Sequence, residues 1–186
     1  MKNRFLLPLA ALLAAGSFAQ ADLQLNAGGI YARGSEEDSF GFELGAGFYF
    51  KHTTSAFSSS LTLNYLDIST IDEESGDSNV EAGYDVVALD YRVAFPIAGD
   101  ALDFYIEGLA GVANTDASAS IDDFDYNAAE WGFAYGFGGG LQWNITQNFG
   151  LNLGYTFLGL DAASDNGVAI GEDSLNLIRL NASFRF

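Results

Sequence analysis

Six ionisable residues stand inside stretches where every second residue is large and apolar: Glu43, Asp90, Arg92, Glu107, Arg179 and Arg185. All six fall on the opposite parity, among Gly, Ser, Ala, Asn and Thr. Carboxylates and guanidiniums held away from bulk water are costly unless paired, so this pattern predicts ion pairs or hydrogen-bonded clusters. Such a network can plug an interior, or gate a file of water by exchanging partners. It could also present a carboxylate pair for catalysis, but no substrate pocket is legible beside it. The remaining candidates are weaker. His52 is the only histidine and lies beside Lys51, while Ser58 and Ser60 have no base within reach, without which a hydroxyl is a weak nucleophile. With no cysteine there is no disulfide, thiolate metal site, thiol nucleophile or lipidated cysteine.

The elements that must position these residues are strands, because the alternation has period 2 and no long stretch repeats at helical spacing. Trp131, Phe133, Tyr135, Phe137, Leu141 and Trp143 alternate with Gly132, Ala134, Gly136, Gly138, Gly140 and Gln142. Phe149 to Phe157 and Ile178 to Phe186 repeat the rule, as do the windows around Phe40–Phe50, Phe57–Tyr65, Val87–Phe95 and Leu102–Val112. A weaker strand from Leu23 to Arg33 brings the count to eight. A soluble sandwich would carry long charged side chains on its outward face. Here the second face is small and polar, as in the lumen of a narrow closed barrel whose large apolar residues face lipid. Ten residues at about 3.3 Å each, tilted about 40°, rise about 25 Å, the apolar height of an outer-membrane barrel.

Connection lengths agree. The short links 51–54, 96–101 and 144–147 alternate with the long ones 67–81, 115–129 and 161–173, as periplasmic turns and outer loops do. Only the first outer link, 34–38, is short for its class. Aromatics gather at both expected ends of the lipid face, among them Phe50, Phe95, Trp143 and Phe184 below and Tyr31, Phe40, Tyr65 and Trp131 above. Ahead of the barrel, residues 1–21 read as a cleaved secretory leader: Lys2 and Arg4, an apolar run from Phe5 to Ala15, then a small-residue site before Asp22. That run is too short for a membrane helix, which needs about 20 apolar residues. The expected domain is therefore 22–186, with no linker and no second domain.

Acidity concentrates in the outer links. Eighteen of the 25 acids fall there: Glu36, Glu37, Asp38; Asp67, Asp72, Glu73, Glu74, Asp77, Glu81; Asp116, Asp122, Asp123, Asp125, Glu130; and Asp161, Asp165, Glu172, Asp173. No Lys or Arg interrupts any of these groups. The formal charge of −18 excludes nucleic acid, whose phosphates demand bases. The same acids form a solvated, repulsive surface, or bind divalent cations that bridge to lipopolysaccharide phosphates. Asp161, Asp165 and Glu172 have the spacing of a calcium loop at positions 1, 5 and 12, but Ala163 and Asn166 break it at positions 3 and 6, so no metal site is assigned. The sequons at Asn144 and Asn181 fall in a turn and in a membrane strand and are not expected to be modified.

The run from Gly136 to Tyr155 resembles the penultimate hairpin of the OmpA/OmpX-like outer-membrane β-barrel family. The chain end, Arg179 to Phe186, is similar to that family's assembly signal, with Phe184 and Phe186 as its aromatics and Asn181 where glycine is usual. The resemblance implies recognition of Arg179, Phe184 and Phe186 by the barrel-assembly machinery, passage with periplasmic chaperones, and residence among outer-membrane lipid and lipopolysaccharide. Family members include integrity proteins, adhesins, narrow channels and lipid-modifying enzymes. The expectation is an all-β, eight-stranded antiparallel transmembrane barrel, monomeric and non-catalytic, without cofactor, serving envelope integrity or surface interaction. The alternatives are a narrow, porin-like conduit for small solutes and, third, an outer-leaflet lipid-modifying enzyme.

Overall fold

The computed structural model describes residues 21–34, 38–51, 57–75, 78–121, 124–160, 163–165, 168–170 and 174–186, with the side chains of 69–82, 117–128 and 163–170 left aside. Residues 1–20 of the expected leader 1–21, His52 and the acids Glu36, Glu37, Asp77, Asp122, Asp123, Asp161, Glu172 and Asp173 lie outside the described residues. The strands are β1 (Ala21–Arg33), β2 (Asp38–Lys51), β3 (Ser58–Ser75), β4 (Ser78–Ala98), β5 (Leu102–Ile121), β6 (Phe124–Asn144), β7 (Phe149–Leu160), the short β8 (Ala163–Asp165) and β9 (Val168–Ile170), and β10 (Ser174–Arg185). Eight of them close into an antiparallel barrel in the order β1-β10-β7-β6-β5-β4-β3-β2. The remaining two, β8 and β9, form a small separate hairpin in the link before β10.

Each barrel strand pairs with its neighbour along the chain, and the seam is closed by β1 on β10, from Gln24 opposite Arg185 to Arg33 opposite Asn176. Closure leaves no unpaired edge in the hydrocarbon, where an open ladder would carry unsatisfied backbone groups. Ala21, assigned above to the leader, pairs with Phe50. Ala21, Phe186 and the β4–β5 and β6–β7 turns share one end of the barrel. In the β4–β5 turn Gly99 adopts φ 58°, which glycine tolerates without strain, and the Ala101 amide donates to the Ala98 carbonyl. In the β6–β7 turn the Thr146 hydroxyl accepts from the amides of Asn148 and Phe149.

The apolar parity faces outward as expected: Leu44, Leu63, Leu89, Phe137, Leu153 and Leu180 are all exposed on the barrel exterior, where lipid covers them. Ring pairs cluster toward the ends of that face, with Phe149 and Phe184 at 4.8 Å and Tyr31 and Phe40 at 5.4 Å.

Two expectations need correcting. The long links 67–81 and 115–129 are largely ladder: β3 continues to Ser75 opposite Ser78, and β5 to Ile121 opposite Phe124. Alternation disappeared there because no lipid face demands it, while backbone pairing continues regardless. The lumen, in turn, is not small and polar throughout. Fourteen of the described residues, including Ile30, Leu66, Ile68, Tyr84, Val86, Leu158 and Leu177, form a buried apolar cluster in its outer half. In that stretch consecutive residues such as Val86 and Val87, or Phe157 and Leu158, are both apolar, so parity gives no sign of which one points inward.

Candidate functional site: a charged belt across the lumen

Beneath the apolar cluster, inward side chains from β2, β3, β4, β5, β7 and β10 meet in one belt. Arg179 is its hub. It lies 2% exposed, donates from Nε to Glu43 at 2.9 Å, and bonds Glu43 Oε1 through Nη2 and Glu107 Oε1 through Nη1. Its Nη2 also lies 3.4 Å from Asp90 Oδ2, so one guanidinium touches all three acids. Arg92 is the second base: Nη2 donates to Glu107 Oε2 at 2.8 Å, Nη1 to Asn152 Oδ1 at 3.3 Å, and its guanidinium carbon sits 3.9 Å from the centre of the Tyr105 ring. Neutral groups complete the belt. Thr156 donates to Glu107 at 2.6 Å, Asn181 to Glu43 at 2.7 Å, and Asn64 to Asp90 at 3.4 Å.

Five of the six sequence-predicted residues are thus brought together, namely Glu43, Asp90, Arg92, Glu107 and Arg179. Arg185 is not among them. It lies nearer the periplasmic end, with its guanidinium carbon 4.0 Å from the centre of the Tyr49 ring and Nη2 3.3 Å from Asn144 Oδ1, and among the described residues it makes no salt bridge. There it borders a separate polar layer in which Asn144 and Gln142 both donate to Asp103, at 2.8 and 3.3 Å. Within the belt the pairing also differs from simple proximity in sequence. Asp90 stands two residues from Arg92 on the same face, yet it bonds to Arg179 from the far side of the lumen. A strand places i and i+2 side by side, roughly 7 Å apart, so partners come from other strands: Glu107, opposite Arg92 on the neighbouring β5, and Arg179, across the lumen from Asp90.

Asn64, Tyr105, Asn152, Thr156 and Asn181 are belt members that charge alone did not flag. Their parity marks them: Tyr105 is in phase with Glu107 and Asn181 with Arg179, while Asn64, Asn152 and Thr156 each stand between two apolar residues of the outward face on their own strand. Asn181 is the informative case, because it occupies the place where the family's terminal signal usually has glycine. Its side chain requires a counterpart with none: a Cβ built on Gly28, across the β1–β10 seam, would lie 1.8 Å from Asn181 Oδ1 and 2.2 Å from the Leu180 carbonyl. Gly28→Ala is therefore expected to cost about 1–3 kcal/mol by overpacking. Chemical unfolding should show this loss, while Gly29→Ala, whose Cβ would meet nothing nearer than 4.0 Å, should be much better tolerated.

A closed eight-stranded barrel with lipid-facing aromatics and a charged, side-chain-filled interior is the architecture of small outer-membrane proteins. The family model described as "Outer membrane protein beta-barrel domain" matches residues 5–186. The chain belongs to the outer-membrane β-barrel family. This bears out the resemblance carried by the β6–β7 hairpin and the chain end, and it locates the protein in the outer membrane. Among solved structures the fold is shared with Neisserial surface protein A, at 12% identity and TM-score 0.56, covering 89% of this chain and 97% of that one. Ail, the attachment invasion locus protein of Yersinia pestis, aligns at 18% identity and TM-score 0.54, with coverage of 89% and 97%. A major outer membrane protein of Thermus thermophilus aligns at 12% identity and TM-score 0.56, over 90% of this chain and 100% of that one. At these identities the likeness is one of fold. No curated protein sequence matches the chain.

Proposed function

We propose that this protein is a closed, non-catalytic outer-membrane barrel whose work is done at the cell surface, through the acidic outer hairpins it holds above the membrane. The observation that carries this reading is the filling of the lumen. An apolar cluster occupies the outer half and a salt-bridged belt crosses beneath it, so the interior serves rigidity. What remains available to partners is the outer end, where β3, β4, β5 and β6 run 18–21 residues against 12–14 in β1, β2, β7 and β10. Fold relatives named for attachment and invasion or as a surface protein support a surface role. The charge of the outer links favours partners that are basic or bridged by divalent cations.

The test separates three readings. In planar bilayers the purified protein is expected to give no discrete conductance steps, and reproducible steps would favour the narrow conduit instead. Lipid A from a deletion strain should be unaltered by mass spectrometry, whereas a shifted acylation pattern would revive the enzyme reading. The same strain should show altered surface attachment or sensitivity to envelope stress.

Biogenesis belongs to the same proposal. Phe184 and Phe186 lie exposed on the lipid face, and the Phe186 amide donates to the Leu23 carbonyl at 2.9 Å, so the terminal residue closes the seam. Recognition of these aromatics by the assembly machinery predicts that deleting Phe186 lowers the heat-modifiable, folded fraction in membranes. Unchanged yield and gel mobility would remove the idea.

A further inference from the structure

The three belt carboxylates are not equally provided for. Glu107 receives four donors: Thr156 and Arg179 on Oε1, and Arg92 Nε and Nη2 on Oε2. Glu43 receives three, from Arg179 Nε and Nη2 and from Asn181. Among the described residues Asp90 has only two contacts, both at 3.4 Å and both on Oδ2, from Asn64 and Arg179, while its Oδ1 has no partner. The charge count points the same way, since Glu43, Asp90 and Glu107 face Arg92 and Arg179, three acids against two bases. An ionised carboxylate 2% exposed with one bare oxygen would be left largely uncompensated. One further positive charge is needed. Asp90 Oδ1 and the neighbouring Asn64 Oδ1, also unpartnered among the described residues, are both closed to a water-sized sphere, so neither a water nor a hydrated ion has room beside them. A proton needs none.

We propose that Asp90 binds a proton and is a neutral carboxylic acid in the folded barrel at neutral pH. The belt is then balanced, with Glu43 and Glu107 ionised against Arg179 and Arg92. The groups that face the site are Glu43 on β2, Thr62 and Asn64 on β3, Arg92 on β4, Tyr105 and Glu107 on β5, Thr156 on β7, and Arg179 and Asn181 on β10. Of these, Asn64 supplies the acceptor: its amide, turned end for end about Cγ, presents its carbonyl oxygen to the Asp90 hydroxyl. The outcome is a belt sensitive to alkali. In the unfolded chain Asp90 is ionised at neutral pH, so folding takes up one proton and the folding constant falls about tenfold per pH unit from this group alone.

Full-length protein refolded into lipid vesicles tests this by two readouts. Infrared spectra at neutral pH should contain the carbonyl stretch of a protonated carboxylic acid, which disappears in Asp90→Asn and bleaches when wild type is titrated to alkali. Urea unfolding of wild type should carry one proton's worth of pH dependence that Asp90→Asn lacks. The Asn variant should unfold at no lower urea than wild type at neutral pH, whereas Glu107→Gln unfolds earlier. Absence of the protonated-acid band in wild type would overturn the proposal, even if Asp90→Asn failed to fold. So would an Asp90→Asn midpoint as low as that of Glu107→Gln, because an isosteric neutral group would then be no substitute for the native one.

Discussion

Arg179→Ala is expected to destabilise the folded barrel by about 3–5 kcal/mol, the cost of removing one partner from a buried ionic cluster. The variant leaves Glu43 with Asn181 as its one donor and no positive charge, because the guanidinium supplies the other two of its three donors. It also removes the only base in contact with Asp90 among the described residues. Arg92→Ala should cost less, since Glu107 would keep both Arg179 and Thr156. Urea unfolding in lipid vesicles gives both numbers. A loss below about 1 kcal/mol for Arg179→Ala, or a larger loss for Arg92→Ala, would mean that the hub has been misassigned. A double variant removing Glu43 and Arg179 together should recover part of the loss, because the penalty is mostly that of an unpaired charge.

Leu153→Arg is expected to cost about 2–4 kcal/mol, the penalty for a guanidinium facing lipid near mid-membrane. Leu153 sits on β7 between Leu141 of β6 and Leu180 of β10, all three exposed on the exterior. The same substitution at Trp131, 65% exposed on β6 toward the outer rim, should cost no more than about 1 kcal/mol, because charge is tolerated near the interface. The contrast is read by comparing unfolding free energies of the two variants in vesicles. Equal costs at both depths would contradict the placement of the lipid band.

These expectations divide by what carried them. The parity of Trp131 to Trp143, or of Phe149 to Phe157, was enough to read strands, a lipid face and a closed barrel, because in hydrocarbon every outward residue must be apolar and every backbone group paired. The same parity turned Glu43, Asp90, Arg92, Glu107, Arg179 and Arg185 inward. The rule failed where its cause was missing. Above the membrane no lipid selects the outward residue, so the ladders of 67–81 and 115–129 read as loops. In the outer lumen Ile30, Leu66, Val86 and Leu158 pack on one another, and the sequence shows two apolar faces without saying which is inside.

Pairing across the lumen was decided only by tertiary structure. Parity says that a side chain points inward, but not how high it sits or which of the other strands it meets, since register and tilt set those. Hence Arg179, by parity one inward charge among six, is the hub, and Arg185, further along the same face of the same strand, reaches a different layer. Asn181 shows how the two levels join. In the chain it is a departure from a terminal motif, while in the barrel it fits against the bare Cα of Gly28 and donates to Glu43. Residues 28, 43 and 181 are far apart in sequence, and only closure of β1 on β2 and β10 brings them into contact.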